Sequence, residues 1–188
     1  NVLCLNGVAG NYASAPDSAA LSITGDIDIR CEAALDSWNT GGNQALVSKD
    51  DIGTNRCYSF YTNAGSSALQ FLYSSDGSTL TGRIATSSVA TGFANYSRNW
   101  VRVTYASATG KVNFYTSTDG VTWSPLGTEQ TITSGAIFNG TNVLGVGAAS
   151  NGSTRATGLI YRAQIYNGIA GTLVFDANFA TASKLAPS

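Results

Sequence analysis

Catalysis near neutral pH draws on a small set of side chains, and this sequence withholds several of them. It has no histidine, which excludes Ser-His-Asp and Cys-His catalysis, histidine-ligated zinc and imidazole base chemistry. Its three cysteines, Cys4, Cys31 and Cys57, are odd in number, so at most one internal bridge forms. Cys31 falls on the apolar face of a strand, where a buried thiol behaves as a small hydrophobe. A Cys31–Cys57 bridge between neighbouring strands is the competing arrangement, and spacing does not choose between them. The groups best suited to holding a ligand are aromatic. Trp38, Tyr96, Trp123 and Phe138 lie near turns, where a ring face stacks on a sugar while neighbouring Asn and Asp bind its hydroxyls. The same rings equally serve to cap the ends of a core. Trp38, with Asn39 and Asn43 beside it, is the best-placed ligand group, and Trp123 is the next.

These residues hang on a succession of short strands. Trp100, Arg102 and Thr104 alternate with Val101, Val103 and Tyr105, which is the period of a half-buried strand. The alternation resumes at Val112 and Phe114 beyond Ala106 to Gly110, so the chain pairs with itself as a hairpin. Asp119-Gly120 predicts a tight two-residue turn after it, and Tyr73 to Leu80 repeats the device around Asp76-Gly77. In Asp26 to Leu35, Ile27, Ile29, Cys31, Ala33 and Leu35 share a core face while Asp26, Asp28, Arg30 and Glu32 face solvent. A one-residue slip there would bury every one of those charges, which fixes the register. Further strands are expected at Val2 to Leu5, Ala45 to Lys49, Cys57 to Thr62, Ala68 to Ser74, Thr79 to Ala85 and Thr128 to Thr133. Val143 to Ala148, Gly158 to Tyr166 and Leu173 to Phe179 complete the set, and the glycines of Val143 to Ala148 suggest a bend or a close backbone approach. Ser124 to Gly127 reads as a turn, and Pro16 to Leu21 as a turn with a single helical turn. No window keeps an apolar spacing of three and four for ten residues, so no long helix is expected. The pattern is all-β, a two-sheet antiparallel sandwich of jelly-roll type with little or no helix.

Composition narrows the classes of function. The 188 residues are 43% hydrophobic, enough for one core, expected over residues 1–180 with a tail or linker at 181–188. Only 11% are charged and the net charge is −1, so solubility rests on hydroxyls and turns, the profile of a β-rich extracellular or virion protein. The scattered Lys and Arg cannot supply the counterion release on which nucleic-acid binding depends. No apolar run is long enough for a membrane span and no signal-peptide pattern is present. The chain lacks methionine and starts at Asn1 inside what reads as a strand, which points to a processed product or a domain of something longer.

The succession S-I-T-G-D-I-D-I-R, Q-A-L-V-S-K, Y-S-F-Y-T, L-Q-F-L-Y-S-S-D-G-S-T, N-W-V-R-V-T-Y, K-V-N-F-Y-T-S-T-D-G-V-T-W and G-L-I-Y-R-A-Q-I-Y-N-G resembles the laminin-G-like, concanavalin-A-like jelly roll over Asn1 to Ala180. The opening G-N-Y-A-S-A-P-D-S-A-A-L-S-I-T-G-D-I-D-I-R and the closing I-Y-R-A-Q-I-Y-N-G-I-A-G-T-L-V-F-D-A-N-F-A look like the versions in minor tail and other structural proteins of tailed phages. The resemblance implies a non-catalytic virion module on a tail or capsid surface, a homo-oligomer or a unit displayed in multiple copies, contacting other virion proteins and, weakly, host glycans. A secreted carbohydrate-binding or adhesion module of a cellular protein is the alternative. Many relatives hold calcium through acidic residues in the opening segment and the closing strand. This chain has Asn11 and Tyr161-Arg162 there, so the usual calcium site looks lost and no cofactor is expected. The glucanase branch carries E-x-D-x-x-E, whereas Glu32 and Glu129, the only glutamates, lie far apart outside such a motif, which implies no enzyme. Ser117 to Trp123 resembles a sialidase Asp-box one residue short, read here as a hairpin turn rather than a site.

Overall fold

The computed structural model describes residues 1–51, 53 and 55–181. The strands, in chain order, are β1 (Leu3–Asn6), β2 (Ala13–Ala15), β3 (Ile27–Leu35), β4 (Gln44–Asp51), β5 (Asn55–Thr62), β6 (Leu69–Tyr73) and β7 (Ile84–Thr86). They continue as β8 (Asn99–Ala106), β9 (Lys111–Ser117), β10 (Ser124–Pro125), β11 (Gln130–Thr131), β12 (Leu144–Val146), β13 (Thr157–Asn167) and β14 (Thr172–Asn178). The helical turn expected before β3 is a 3₁₀ turn at Ala19–Leu21. All pairings are antiparallel and form two sheets. The first runs β1-β13-β3-β8-β9-β10, with β14 also on β13 and β11 on β9; the second runs β2-β12-β4-β5-β6-β7.

The period-two apolar faces meet between the sheets. Ile27, Ile29, Leu35, Val101, Val103 and Tyr105 of the first sheet pack against Leu46, Tyr58, Phe60, Phe71 and Tyr73 of the second. Burial of side chains of this size contributes roughly 1.5–3 kcal/mol each, so this layer is what holds the sheets together. The Tyr105 ring lies 4.6 Å from Tyr73 and 5.5 Å from Phe71. The hydroxyls of Tyr105 and Tyr73 donate to the Gly135 and Thr133 carbonyls at 2.8 and 2.6 Å, tying the loop after β11 over one end of the core.

Several expectations are corrected. The Asp119-Gly120 hairpin is not a two-residue turn. β9 ends at Ser117 and β10 starts at Ser124, because Asp119 caps the amides of Val121 and Thr122 instead of closing the ladder directly. The third strand of that meander is therefore Ser124–Pro125, inside what reads as a turn. Thr79 to Ala85 and Thr128 to Thr133 shrink to β7 and β11, while β2 forms where no strand is expected. Cys31 and Cys57 do not bridge: β3 and β5 belong to different sheets, and Cys4, Cys31 and Cys57 are free thiols. Nor does the charged face of β3 lie open, since Asp28 is fully buried and Thr104, Gln164 and Trp100 beside it are all buried. Long side chains on neighbouring strands lay their stems across that face. Of the tail at 181–188, residues 182–188 lie outside the described residues.

Candidate functional site

The outer face of the second sheet carries a small apolar patch of Ala45, Tyr61 and Leu72, with Leu80 against it. The pairing of Ala45 with Tyr61 and of Ser59 with Leu72 puts these side chains on the side away from the core. Beside the patch, Asn43, Asp50, Arg56, Ser59, Ala149 and Thr154 line a cleft of about 130 Å³. One end is set by charge. Arg56 donates through Nε and Nη2 to the two carboxylate oxygens of Asp50 at 2.9 and 3.0 Å, a bidentate geometry that fixes both side chains.

The other walls are set by backbone. Thr154 has φ +51°, unusual for a β-branched residue. It is held there by the Asn151 side chain, which accepts from the amide and hydroxyl of Ser153, and by the Ala45 amide donating to the Thr154 carbonyl at 2.9 Å. Asn43 accepts the Ala64 amide through Oδ1 at 2.8 Å, which leaves its Nδ2 for the cleft. Tyr61 Oη, Ser59 Oγ and Thr154 Oγ1 likewise make no hydrogen bond to any described residue, although Ser59 and Tyr61 are buried. Burial pushes the Tyr61 hydroxyl up to about 12, with the nearby Asp50 carboxylate adding to the shift, so it remains a donor at any ordinary pH.

The outer face of the first sheet is organised differently. Its register aligns Gln164, Arg30, Arg102 and Tyr115 in one row and Tyr166, Asp28, Thr104 and Asn113 in the next. Asp28 takes two hydrogen bonds from Arg30 at 3.1 and 2.9 Å and two from Arg102 at 3.0 and 2.8 Å. The Ala170 amide adds a fifth at 3.2 Å. Burial works to raise the Asp28 pKa, but the guanidinium hydrogen bonds and charges outweigh it and hold the carboxyl below the usual carboxylate range. Trp123 lies 5.5 Å from both guanidinium carbons, Tyr166 lies 4.2 Å from Arg30, and Tyr115 lies 4.9 Å from Arg102.

The residues expected from sequence scatter. Trp38 is 1% exposed and packs edge-on against Phe93 at 4.9 Å, so it caps the core and cannot offer a ring to a ligand. Asn39 is exposed in the loop before β4 but does not reach the cleft, whereas Asn43 lines it. Trp123 is half-buried over the arginine pair and edge-on to Trp100 at 6.3 Å. Phe138 is half-buried against the core beside Gly77, while Tyr96 is 71% exposed with φ +63°. The two Asp-Gly segments form the same turn. Asp76 accepts the Ser78 and Thr79 amides and Asp119 those of Val121 and Thr122.

The cleft residues Asp50, Arg56, Ser59, Tyr61 and Thr154 were not singled out in the sequence. An acid before and a base after the β4–β5 turn was the available sign of a cross-strand pair. Glu32 is engaged by Arg98 at 2.7 Å and Glu129 by Lys111 at 2.6 Å. At the positions where the sequence resemblance would place calcium ligands, Asn11 Oδ1 accepts the Asn6 amide at 2.7 Å, Arg162 grips Asp176, and the Tyr161 ring lies 3.8 Å from the Arg98 guanidinium. Among the described residues no group of three or more Asp, Glu, Cys or His side chains converges.

No protein-family model matches the chain, and no curated protein matches it. Solved structures do. The carbohydrate-binding module CBM40 of the Ruminococcus gnavus IT-sialidase, solved bound to α2,3-sialyllactose, is similar with a TM-score of 0.64 at 11% identity, over 91% of this chain and 94% of that one. A heptameric SAP-like pentraxin from Limulus polyphemus gives 0.54 at 10% identity over 88% of this chain and 75% of its own. Tailspike protein 2 of the Escherichia coli bacteriophage CAB120 gives 0.57 at 9% identity over 97% of this chain and 28% of its own. What this chain shares with all three is the fold, an antiparallel β-sandwich of jelly-roll type.

Proposed function

We propose that the chain is a non-catalytic glycan-binding module of laminin-G-like type that uses the cleft on its second sheet. The observation that carries this is the convergence of Asn43 Nδ2, Ser59 Oγ, Tyr61 Oη and Thr154 Oγ1, all without partners among the described residues, around an apolar floor. A sugar supplies hydroxyls to which these groups can bond and a C–H face that suits Tyr61 and Leu72. The cleft volume of about 130 Å³ falls below the roughly 300–1,000 Å³ of enclosed small-molecule sites. It therefore accepts one ring or substituent of a chain, with weak affinity. Relatives in fold named for carbohydrate binding support the ligand class.

Glu32 and Glu129 are each committed to a cation, which favours a binding role over hydrolysis. The opening and closing segments that resemble phage structural proteins favour display on a virion surface among other virion proteins, and the tailspike of the same fold supports that setting. A secreted module of a cellular protein would use the same cleft; co-sedimentation with phage particles in a density gradient, against recovery from culture medium, separates the two. Weak single contacts are useful only in multiple copies, because linkage raises avidity by roughly 10²–10⁴. The test is a glycan array probed with monomeric and artificially multimerised protein. The multimer should bind a subset of glycans, the monomer only in the millimolar range, and Tyr61→Phe or Ser59→Ala should weaken binding about 3–10-fold, the value of one hydrogen bond. Binding undiminished in both variants, or silence from the multimer, would remove the cleft from consideration.

A further inference from the structure

We infer that the outer face of the first sheet is a second binding surface, one that takes an oxyanion carried on a saccharide chain between Arg30 and Arg102. That the oxyanion is borne by a glycan rests on the function proposed above; the anion site itself does not. Arg30 and Arg102 stand directly opposite each other in the β3–β8 register, where like charges repel. Asp28 is the one carboxylate between them, so two cations share one anion. The neighbouring carboxylates are committed elsewhere: Glu32 to Arg98, Asp176 to Arg162, and Asp26 to the amide and hydroxyl of Ser107.

One positive charge is thus left over in a place that water reaches poorly, since the arginine side chains are 14% and 12% exposed. Both guanidiniums spend Nε and Nη2 on Asp28. Nη1 of Arg102 has no partner among the described residues, and Nη1 of Arg30 has only the Tyr166 hydroxyl at 3.5 Å. These groups lie between aromatic walls at Tyr115, Trp123 and Tyr166. A half-buried guanidinium pair short of one carboxylate is suited to charge-assisted, bidentate capture of another, and Trp123 and the tyrosines offer sugar rings a surface to lie on.

The test titrates wild-type protein with oligogalacturonate, with its neutral methyl ester and with dextran sulfate, following the Arg Nε resonances by NMR and binding by calorimetry. Binding of oligogalacturonate or dextran sulfate but not the ester, with the Arg30 and Arg102 Nε signals moving and affinity falling as salt rises, is expected. The two anionic polymers separate a carboxylate preference from a sulfate one. Arg30→Gln and Arg102→Gln each leave Asp28 one arginine, so both variants should fold and both should lose at least about tenfold in affinity. Tyr61→Phe should bind the anionic polymers as wild type does, which separates this surface from the cleft. Equal binding of the ester, unmoved Arg Nε signals, undiminished binding by Arg102→Gln, or no binding of either anionic polymer would overturn the inference.

Discussion

Gly120 is a steric requirement of the Asp119 turn. Its φ is +72°, and a Cβ there would sit 2.7 Å from the Trp100 ring, whereas Gly92, with φ +68°, has nothing within 4 Å of its own Cβ position. Left-handed backbone costs a non-glycine residue roughly 1–2 kcal/mol, and displacing a packed ring adds to it. Gly92→Ala should therefore lower unfolding stability by about 1–2 kcal/mol and Gly120→Ala by at least about 1 kcal/mol more, read from urea denaturation. The carboxyl beside it titrates abnormally. Asp119 is held well below the usual carboxylate range by the Thr122 and Val121 amides and the Ser117 hydroxyl, and Asp76 likewise by Thr79 and Ser78. A folded-state pKa below the unfolded value means the contribution is complete above the unfolded pKa of roughly 3.9 and is lost as pH falls through the folded one. Midpoints measured from pH 5 downward should fall for wild type and fall less steeply for Asp119→Asn; parallel curves would contradict this.

At the level of elements, β4 is tied to two loops by one buried cation. Lys49 is 1% exposed, and its Nζ reaches Asp17 Oδ1 at 2.8 Å, the Gly140 carbonyl at 2.7 Å and the Leu21 carbonyl at 3.5 Å. The 3₁₀ turn and the segment before β12 are thereby fixed to the end of β4, close to where Gly140 also donates its amide to Cys57 Sγ at 3.2 Å. Removing the whole side chain loses packing and leaves the carbonyls unpaired, at a cost of about 2–4 kcal/mol. Lys49→Met, which keeps the volume, should cost less than Lys49→Ala. If chemical denaturation finds the two equally damaging, the polar tether rather than packing carries the effect.

At the level of the molecule, the positions where the sequence resemblance would place calcium ligands are occupied by groups bonded to one another. Asn11, Tyr161 and Arg162 are engaged with Asn6, Arg98 and Asp176. We therefore expect a chelator to leave the thermal midpoint unchanged within about 1 °C; a fall of several degrees would reveal a cation site. The thiols report on packing in the same way. Cys4 is exposed while Cys31 and Cys57 are buried, and burial pushes the Cys31 thiol far up. A thiol reagent should modify one cysteine in the native protein and three after denaturation, and a reductant should leave the midpoint where it was.

Period-two alternation was enough to place β3, β5, β6, β8, β9 and β13, because an apolar face must be buried and a one-residue slip would expose it. Asp-Gly spacing likewise placed both loops that Asp76 and Asp119 cap, although not their length, since a carboxylate that caps two amides keeps the strands from closing at once. The short strands β2 and β10 were beyond reach and β7 and β11 were read too long, as two or three residues carry no period and pair only because a neighbour is already in place. Tertiary structure alone decided which polar residues are solvated. Asp28, Arg30, Glu32 and Arg102 read as a water-facing row until the turn between β13 and β14, whose Ala170 amide reaches Asp28, and the loop bearing Trp123 lie over them. It also decided which aromatic reaches a cleft. Trp38 and Tyr61 are equally amphipathic in sequence, but Phe93 covers the first, while the second opens on a cleft whose walls come from the two ends of β4, Asn43 and Asp50, and from the distant loop bearing Thr154, brought together only by folding.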